Sequence, residues 1–190
     1  RVYERFATLD AVSHGRAEVT LGRGSFIESF PLFGYSLDDY ELLFAEKLDL
    51  FTKLLEEKPV YWQGTTRPPL EGLQAFPHTE SGQLSTWIGV GGTPQSVVRA
   101  ATYGLPLVLA VIGGSPARFS PLVELYHRAL AEAGKPTLPA WAVRTLGLSR
   151  FQLEYAVGDL SHERRLESIR LYGDEVIPRV RELLSTAPAG

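Results

Sequence analysis

Apolar residues recur at three- and four-residue spacing from Val2 to Val12 and again from Tyr40 to about Leu55, which predicts two amphipathic helices. The first ends at Gly15. The second, YELLFAEKLDLFTKLLEE, is the clearest helix in the sequence, and Ser36 with Asp39 ahead of it resembles a capping box in which Asp replaces Glu. Between the two the period changes. RAEVTLGRG predicts a strand leaving through glycines, and Thr86–Val90 and Leu107–Ile112 are apolar runs of strand length. Gly91 and Gly92 then permit a tight turn, and Thr93-Pro94 reads as an N-cap followed by proline at the first helical position of a helix running to about Tyr103. Further helices are predicted from about Pro116 to Ala133 and from Ser161 to Leu184, with a fourth strand in RFQLEY. The segment KPVYWQGTTRPPLEGLQAFPHTESGQL has no helical pattern and is long for a loop; it holds a short hairpin around Gly64 or is an excursion over a site. Strands alternating with helices across short Gly/Pro turns give an α/β protein with a parallel sheet, and no linker divides residues 1–190.

Composition narrows the chemistry. With 190 residues, 44% hydrophobic and 22% charged, the chain has the make-up of a globular domain with a sizeable core. A net charge of -3 and a pI near 5.8 give no electrostatic footprint for nucleic acid or an anionic membrane. No apolar run approaches the roughly 18 residues of a membrane span. The absence of cysteine excludes disulfides and thiolate metal sites and fits a cytoplasmic protein. The chain also lacks methionine and opens in RVYERFATLDAVSHG, a helix already under way, so it is expected to continue a longer sequence.

Several chemistries lack their residues. His14, His78, His127 and His162 are scattered and form no HExxH or facial triad, which makes them surface or capping residues. GRGSF and GGSPA both miss the GxSxG elbow, and no GxxxxGK[ST] loop is present. GVGGTPQS follows a strand and opens a helix, but the third glycine of GxGxxG falls at Pro94, and AVIGG lacks the acid that would bind ribose. Two strand ends suit an anion. The helix start at Gly91, Gly92 and Thr93 offers unpaired N–H groups with no acidic side chain before Glu124, and Arg23 lies between glycines at the end of a strand. The alternatives are an ordinary turn capped by Thr93 and a loop arginine pairing with an Asp or Glu.

FATLDAVSHGRAEVTLGRGSFIESFPLFGYSLDDYELLFAEKLDLFTKLL resembles the luciferase-like flavin-dependent monooxygenases, marked by a helix with ATLD, a turn with S-x-G-R and a strand leaving as G-x-G. GVGGTPQSVVRAATYGLPLVLAVIGG is similar to the same family's phosphate segment, including A-A-x-x-G-L-P before the next strand, and RFQLEYAVGDLSHERRLESIRLYGDEVIPRV to its final strand and helix. The resemblance implies a (β/α)₈ TIM barrel, which needs about 250 residues. The fourth, fifth, sixth and eighth strands would then be present, the first three would precede Arg1, and the seventh would fall between Pro139 and Ala140.

Carried over residue by residue, the resemblance implies a flavin phosphate held at Gly91, Gly92, Thr93 and Ser96 with Arg23. The family's acidic residue at this turn is Gly92 here, leaving more to backbone N–H groups. Gly24, Ser25 and Phe26 would pass along the flavin ring, with Phe26 either packing on it or filling the core, and the strand end through Ile112 and Gly113 would lie beneath. The reactive cysteine of the luciferases falls at Gly22, and no catalytic base is assigned. Trp62 approaches the substrate side or packs on its own barrel, the Tyr61–Leu84 loop is a candidate lid, and Asp10 with Arg16 looks structural.

The implied activity is an FMN-dependent monooxygenase taking reduced flavin from a separate reductase and using O₂ on a small organic substrate. A deazaflavin-dependent oxidoreductase transferring hydride is the alternative within the fold, and a non-catalytic flavin binder the alternative outside enzymes. A homodimer is expected, as in relatives that associate through helices near the first of this chain.

Overall fold

The ATLD…S-x-G-R stretch has a structural task. Helix α1, Val2–Ser13, ends with His14 in the left-handed conformation at φ 57°, and the Gly15 amide returns to the Asp10 carbonyl at 2.9 Å. The Asp10 side chain, 1% exposed, accepts the Ala17 amide at 3.3 Å, while Arg16 Nε donates to the Ser13 carbonyl at 2.7 Å. Asp10 and Arg16 thereby fix the turn that starts β1, Glu18–Leu21. The computed structural model describes residues 1–24, 26–80, 82–110, 116–136, 162–178 and 181–182.

After β1 the chain makes a single helical turn, α2 (Ser29–Leu32), and a 3₁₀ turn at Leu37–Asp39, then the long α3, Tyr40–Leu54. Ser36 does cap, but its hydroxyl accepts the Asp38 amide at 3.2 Å and belongs to the 3₁₀ turn. The Asp39 box is therefore replaced by a one-residue-tighter cap.

The excursion holds an antiparallel hairpin, β2 (Val60–Trp62) with β3 (Leu70–Leu73). It ends in β4, Ser85–Val90, followed by α4, Pro94–Thr102, with proline in its first turn and Thr93 as N-cap. Strand β5, Leu107–Leu109, a 3₁₀ turn at Pro116–Phe119 and α5, Ser120–Glu132, follow.

Parallel pairing sets β1, β4 and β5 side by side in the order β1-β4-β5, with Leu21 opposite Ile88 and Val90 opposite Leu109. The alternation of β4 then decides its faces. Ile88 and Val90 are buried against Leu48 of α3, Val97, Ala100 and Ala101 of α4, and Tyr126, Ala129 and Leu130 of α5. A neighbouring cluster of Tyr3, Ala7, Ala17, Val19, Phe51 and Leu84 joins α1 and α3 to β1. On the other face Trp87 Nε1 donates across the strands to Glu18 Oε2 at 3.1 Å.

The chain divides into two compact units, 1–138 and 139–190. In the second, helix α6, His162–Leu171, continues into a π-helical turn at Tyr172–Val176, within the predicted last helix. The predicted strand RFQLEY and the proposed gap at Pro139 and Ala140 lie outside the described residues.

Three carboxylates pin the excursion along α3. Glu46 accepts the Thr65 and Thr66 amides at 2.7 and 2.8 Å and both their hydroxyls; Asp49 accepts Trp62 Nε1 at 2.8 Å; Glu57 accepts the amide and hydroxyl of Thr79 and the Tyr3 hydroxyl. Gly64 fits only as glycine, because a Cβ there would come within 2.2 Å of the Trp62 ring. The hairpin follows the end of α3, and its tip is bonded back to Glu46 of that helix. The Tyr61–Leu84 segment, the candidate lid, is held to α3 and Glu57 at these points, and Trp62 is 6% exposed and packs against its own fold.

The tip tether titrates. Bonds from the Thr66 hydroxyl, then the Thr65 amide, outweigh a smaller effect of burial and hold the Glu46 carboxyl down from 4.5 to about 2. A depressed folded-state pKa contributes stability that is complete above 4.5, declines as pH falls and is gone below about 2. Hydrogen exchange at the Thr65 and Thr66 amides, corrected for intrinsic rate, is expected to lose protection across that window. Glu46→Gln should remove this dependence; an unchanged profile would put the titration elsewhere.

Candidate functional site

Parallel strands that pair in register end together, and their loops share one edge. Leu21, Val90 and Leu109 therefore bring Gly22–Gly24, Gly91–Ser96 and Ala110 to the carboxyl end of the sheet, with the Ala110 amide still donating to the Val90 carbonyl at 2.9 Å. Ligand sites of α/β proteins form at this edge.

The helix start is open. Gly92 has φ 121° and open space where a Cβ would stand, and Gly91 is equally uncrowded. Thr93 takes the N-cap position without capping through its side chain: its hydroxyl donates to Ser96 Oγ at 2.8 Å, and Ser96 is 6% exposed. The Ser96 and Val97 amides both turn back to the Thr93 carbonyl. Proline has no amide to offer, and among the described residues the amides of Gly92, Thr93 and Gln95 meet no acceptor. The capped-turn alternative for Thr93 thus lacks its bond, and Thr93 and Ser96 form a hydroxyl pair beside free N–H groups.

Arg23 is neither free nor fully exposed. Its Nη1 bonds Glu41 Oε1 in the first turn of α3, its guanidinium lies 5.0 Å from the centre of the Tyr40 ring, and 22% of the side chain is exposed. The pairing that a loop arginine was expected to make is present. A second cation joins it, since Arg99 of α4 donates from Nη2 to Glu41 Oε2 at 3.0 Å. Sequence reasoning missed Glu41 and Arg99, which look like ordinary polar positions of their helices. Glu41 stands in the first turn of α3 and Arg99 in the last turn of α4, and neither position carries a local signal that the two meet.

The remaining predicted residues divide. Gly24, with φ 75°, accepts the Tyr40 hydroxyl at 3.0 Å and lines, with Phe26, Ile27, Leu37 and Tyr40, an open depression of about 350 Å³. Phe26 is 79% exposed and joins no core among the described residues. Ser25, Ile112 and Gly113 lie outside the described residues.

This donor set fits a phosphate: amides without acceptors, a hydroxyl pair, and two arginines sharing one carboxylate, with net charge of plus one. Among the described residues no group of three His, Cys, Asp or Glu is placed to hold a metal ion, and no helix is long and apolar enough to cross a membrane.

The sequence profile described as luciferase-like monooxygenase matches residues 1–146, well over half of the chain. The chain belongs to that family. Among solved structures, the monooxygenase RslO1 from Streptomyces bottropensis is 26% identical with a TM-score of 0.62, over 72% of this chain and 42% of the other. An F420-dependent secondary alcohol dehydrogenase in complex with an F420-acetone adduct is 23% identical at TM-score 0.58, over 71% and 41%. The oxygenating constituent of 3,6-diketocamphane monooxygenase from Pseudomonas putida, a type II Baeyer-Villiger monooxygenase in complex with FMN, is 17% identical at TM-score 0.57, over 72% and 40%. The last two likenesses concern the fold alone. The chain thus spans about two fifths of the length of each of these luciferase-like and related structures. No curated protein matches it.

Proposed function

We propose that this luciferase-like chain is part of an FMN-dependent monooxygenase that binds the cofactor phosphate at Gly91, Gly92, Thr93 and Ser96 with Arg23. One observation carries the reading: open helix-start amides and an arginine stand at the ends of two adjacent parallel strands. The bound cofactor supplies the redox chemistry, electrons for O₂ from a reduced flavin or hydride from a deazaflavin. The protein's residues bind and orient. Thr93 and Ser96 offer hydroxyls, Gly92 leaves room for backbone approach, and Arg23 supplies charge. Beyond Arg23, Gly24 lines the apolar depression together with Phe26, Ile27 and Leu37, a surface suited to a flat ring or an organic substrate.

The closed TIM barrel belongs to the same proposal. Strands β1 and β5 each pair only with β4 among the described residues, leaving both outer edges open to further parallel strands. Helices cover the face bearing Ile88 and Val90, while the face bearing Glu18, Thr20 and Trp87 would line the interior. Val2, Leu9 and Val12, exposed on α1, support a homodimer through that helix. A separate reductase would supply the reduced flavin.

The test is a fluorescence titration of the intact protein with FMN, riboflavin and a deazaflavin cofactor in phosphate-free buffer. Tight FMN binding that weakens sharply with riboflavin is expected, followed by oxygen consumption with reduced FMN. Preference for the deazaflavin would move the function to hydride transfer, the activity of the F420-dependent neighbour's class. Binding of none of the three would overturn the proposal.

A further inference from the structure

Arg23 and Arg99 come from different elements and close on the same carboxylate. Arg23 stands two residues past β1; Arg99 lies in the second turn of α4. Glu41 takes one from each side, Oε1 from Arg23 and Oε2 from Arg99. Each guanidinium also rests on a ring of α3, Arg23 at 5.0 Å from the centre of Tyr40 and Arg99 at 5.4 Å from that of Phe44. The Tyr40 hydroxyl completes the frame by donating to the Gly24 carbonyl, so the loop after β1 is tied to α3 by both its arginine and its backbone.

The arrangement is poorly suited to stability alone. The Glu41 side chain is 60% exposed, and ion pairs of such groups contribute little to folding. Arg99 Nη1 is buried without a hydrogen-bond partner, a cost that a purely structural pair would have no reason to carry. What the frame does achieve is orientation. A guanidinium held by a carboxylate and a ring has lost its rotamer freedom before any ligand arrives, which lowers the ordering cost of binding.

We propose that Glu41 is a positioning residue for the anion site: it holds Arg23 ready to donate its remaining N–H groups to the cofactor phosphate, while Arg99 keeps the assembly cationic despite the carboxylate. This rests on the reading of the strand ends as a phosphate site. It carries a sign that charge alone would not give. Removing a negative group beside a phosphate should strengthen binding by simple electrostatics; removing a positioning group should weaken it.

The experiment measures dissociation constants of the intact protein for FMN and riboflavin by flavin fluorescence, in the unmodified chain, Glu41→Gln, Arg23→Ala and the double variant. Glu41→Gln is expected to lower the preference for FMN over riboflavin by about tenfold, with riboflavin affinity unchanged. In the Arg23→Ala background the same change should have no further effect, because Glu41 acts through Arg23. Glu41→Asp keeps the charge and shortens the reach; it is expected to lose part of the preference, and it tests the same point if the amide variant does not fold. An FMN preference retained or raised in both Glu41 variants overturns the inference, as does an equal loss for both ligands or an equal loss with Arg23 absent. If the unmodified chain shows no FMN preference, the phosphate site itself falls and this inference with it; a normal preference untouched by Glu41 removes Glu41 alone.

Discussion

Arg23→Ala is expected to lower the affinity of the intact protein for FMN by about 100-fold while changing that for riboflavin by no more than about twofold. The size follows from the value of a charge-assisted hydrogen bond to a phosphate, about 2–3 kcal/mol where the donor is partly shielded from water. Arg23 meets that condition, with 22% of its side chain exposed and a ring on one side. The selectivity follows from the ligands, which differ only in the phosphate. The fold should tolerate the change, because Glu41 is mostly exposed and keeps Arg99 as its partner, so no buried charge is stranded. Parallel losses for FMN and riboflavin would take Arg23 away from the phosphate and leave its pairing with Glu41 as its whole role.

Trp62→Ala is expected to cost about 3–4 kcal/mol of folding stability, read as a lower urea midpoint at an unchanged slope. The ring is buried, it fills the space that makes Gly64 obligatory, and its Nε1 donates to Asp49 on α3. Its removal deletes a large apolar surface and takes one donor from a carboxylate that retains the Tyr103 hydroxyl at 3.4 Å. Trp62→Phe should recover most of the packing and lose only the bond. A loss below about 1 kcal/mol for the alanine variant would mean that the flap opens independently of the sheet, which would favour a lid as its role.

The parts of the fold legible in the sequence are those set by local patterning. The period of α1 and α3, the Thr93-Pro94 entry into α4 and the apolar runs of β1 and β4 depend on residues within a few positions of one another, and the structure places them where the pattern does, while β5 covers only Leu107–Leu109 of the run expected to reach Ile112, whose last residues lie outside the described ones. The Ser36 cap shows the margin of such readings: the residue was right and its partner one position off, because the last turn before α3 is 3₁₀. The packing of the Tyr61–Leu84 segment was not legible for a different reason. A stretch rich in Pro, Gly and aromatics carries no pattern for its partners, and its bonds to Glu46, Asp49 and Glu57, on and just beyond α3, are tertiary contacts.

The candidate site divides along the same line. The sequence by itself determined the family, the parallel α/β order and the turns at the two strand ends proposed to take an anion, because glycines, an N-cap and a proline carry their conformational meaning locally. Only the tertiary structure decided that Arg23 shares Glu41 with Arg99, that Thr93 bonds Ser96 in place of its helix backbone, and that Phe26 is exposed. An ion pair between residues 18 apart and another between residues 58 apart depend on which helices the sheet sets side by side, and hydropathy patterns carry no record of that.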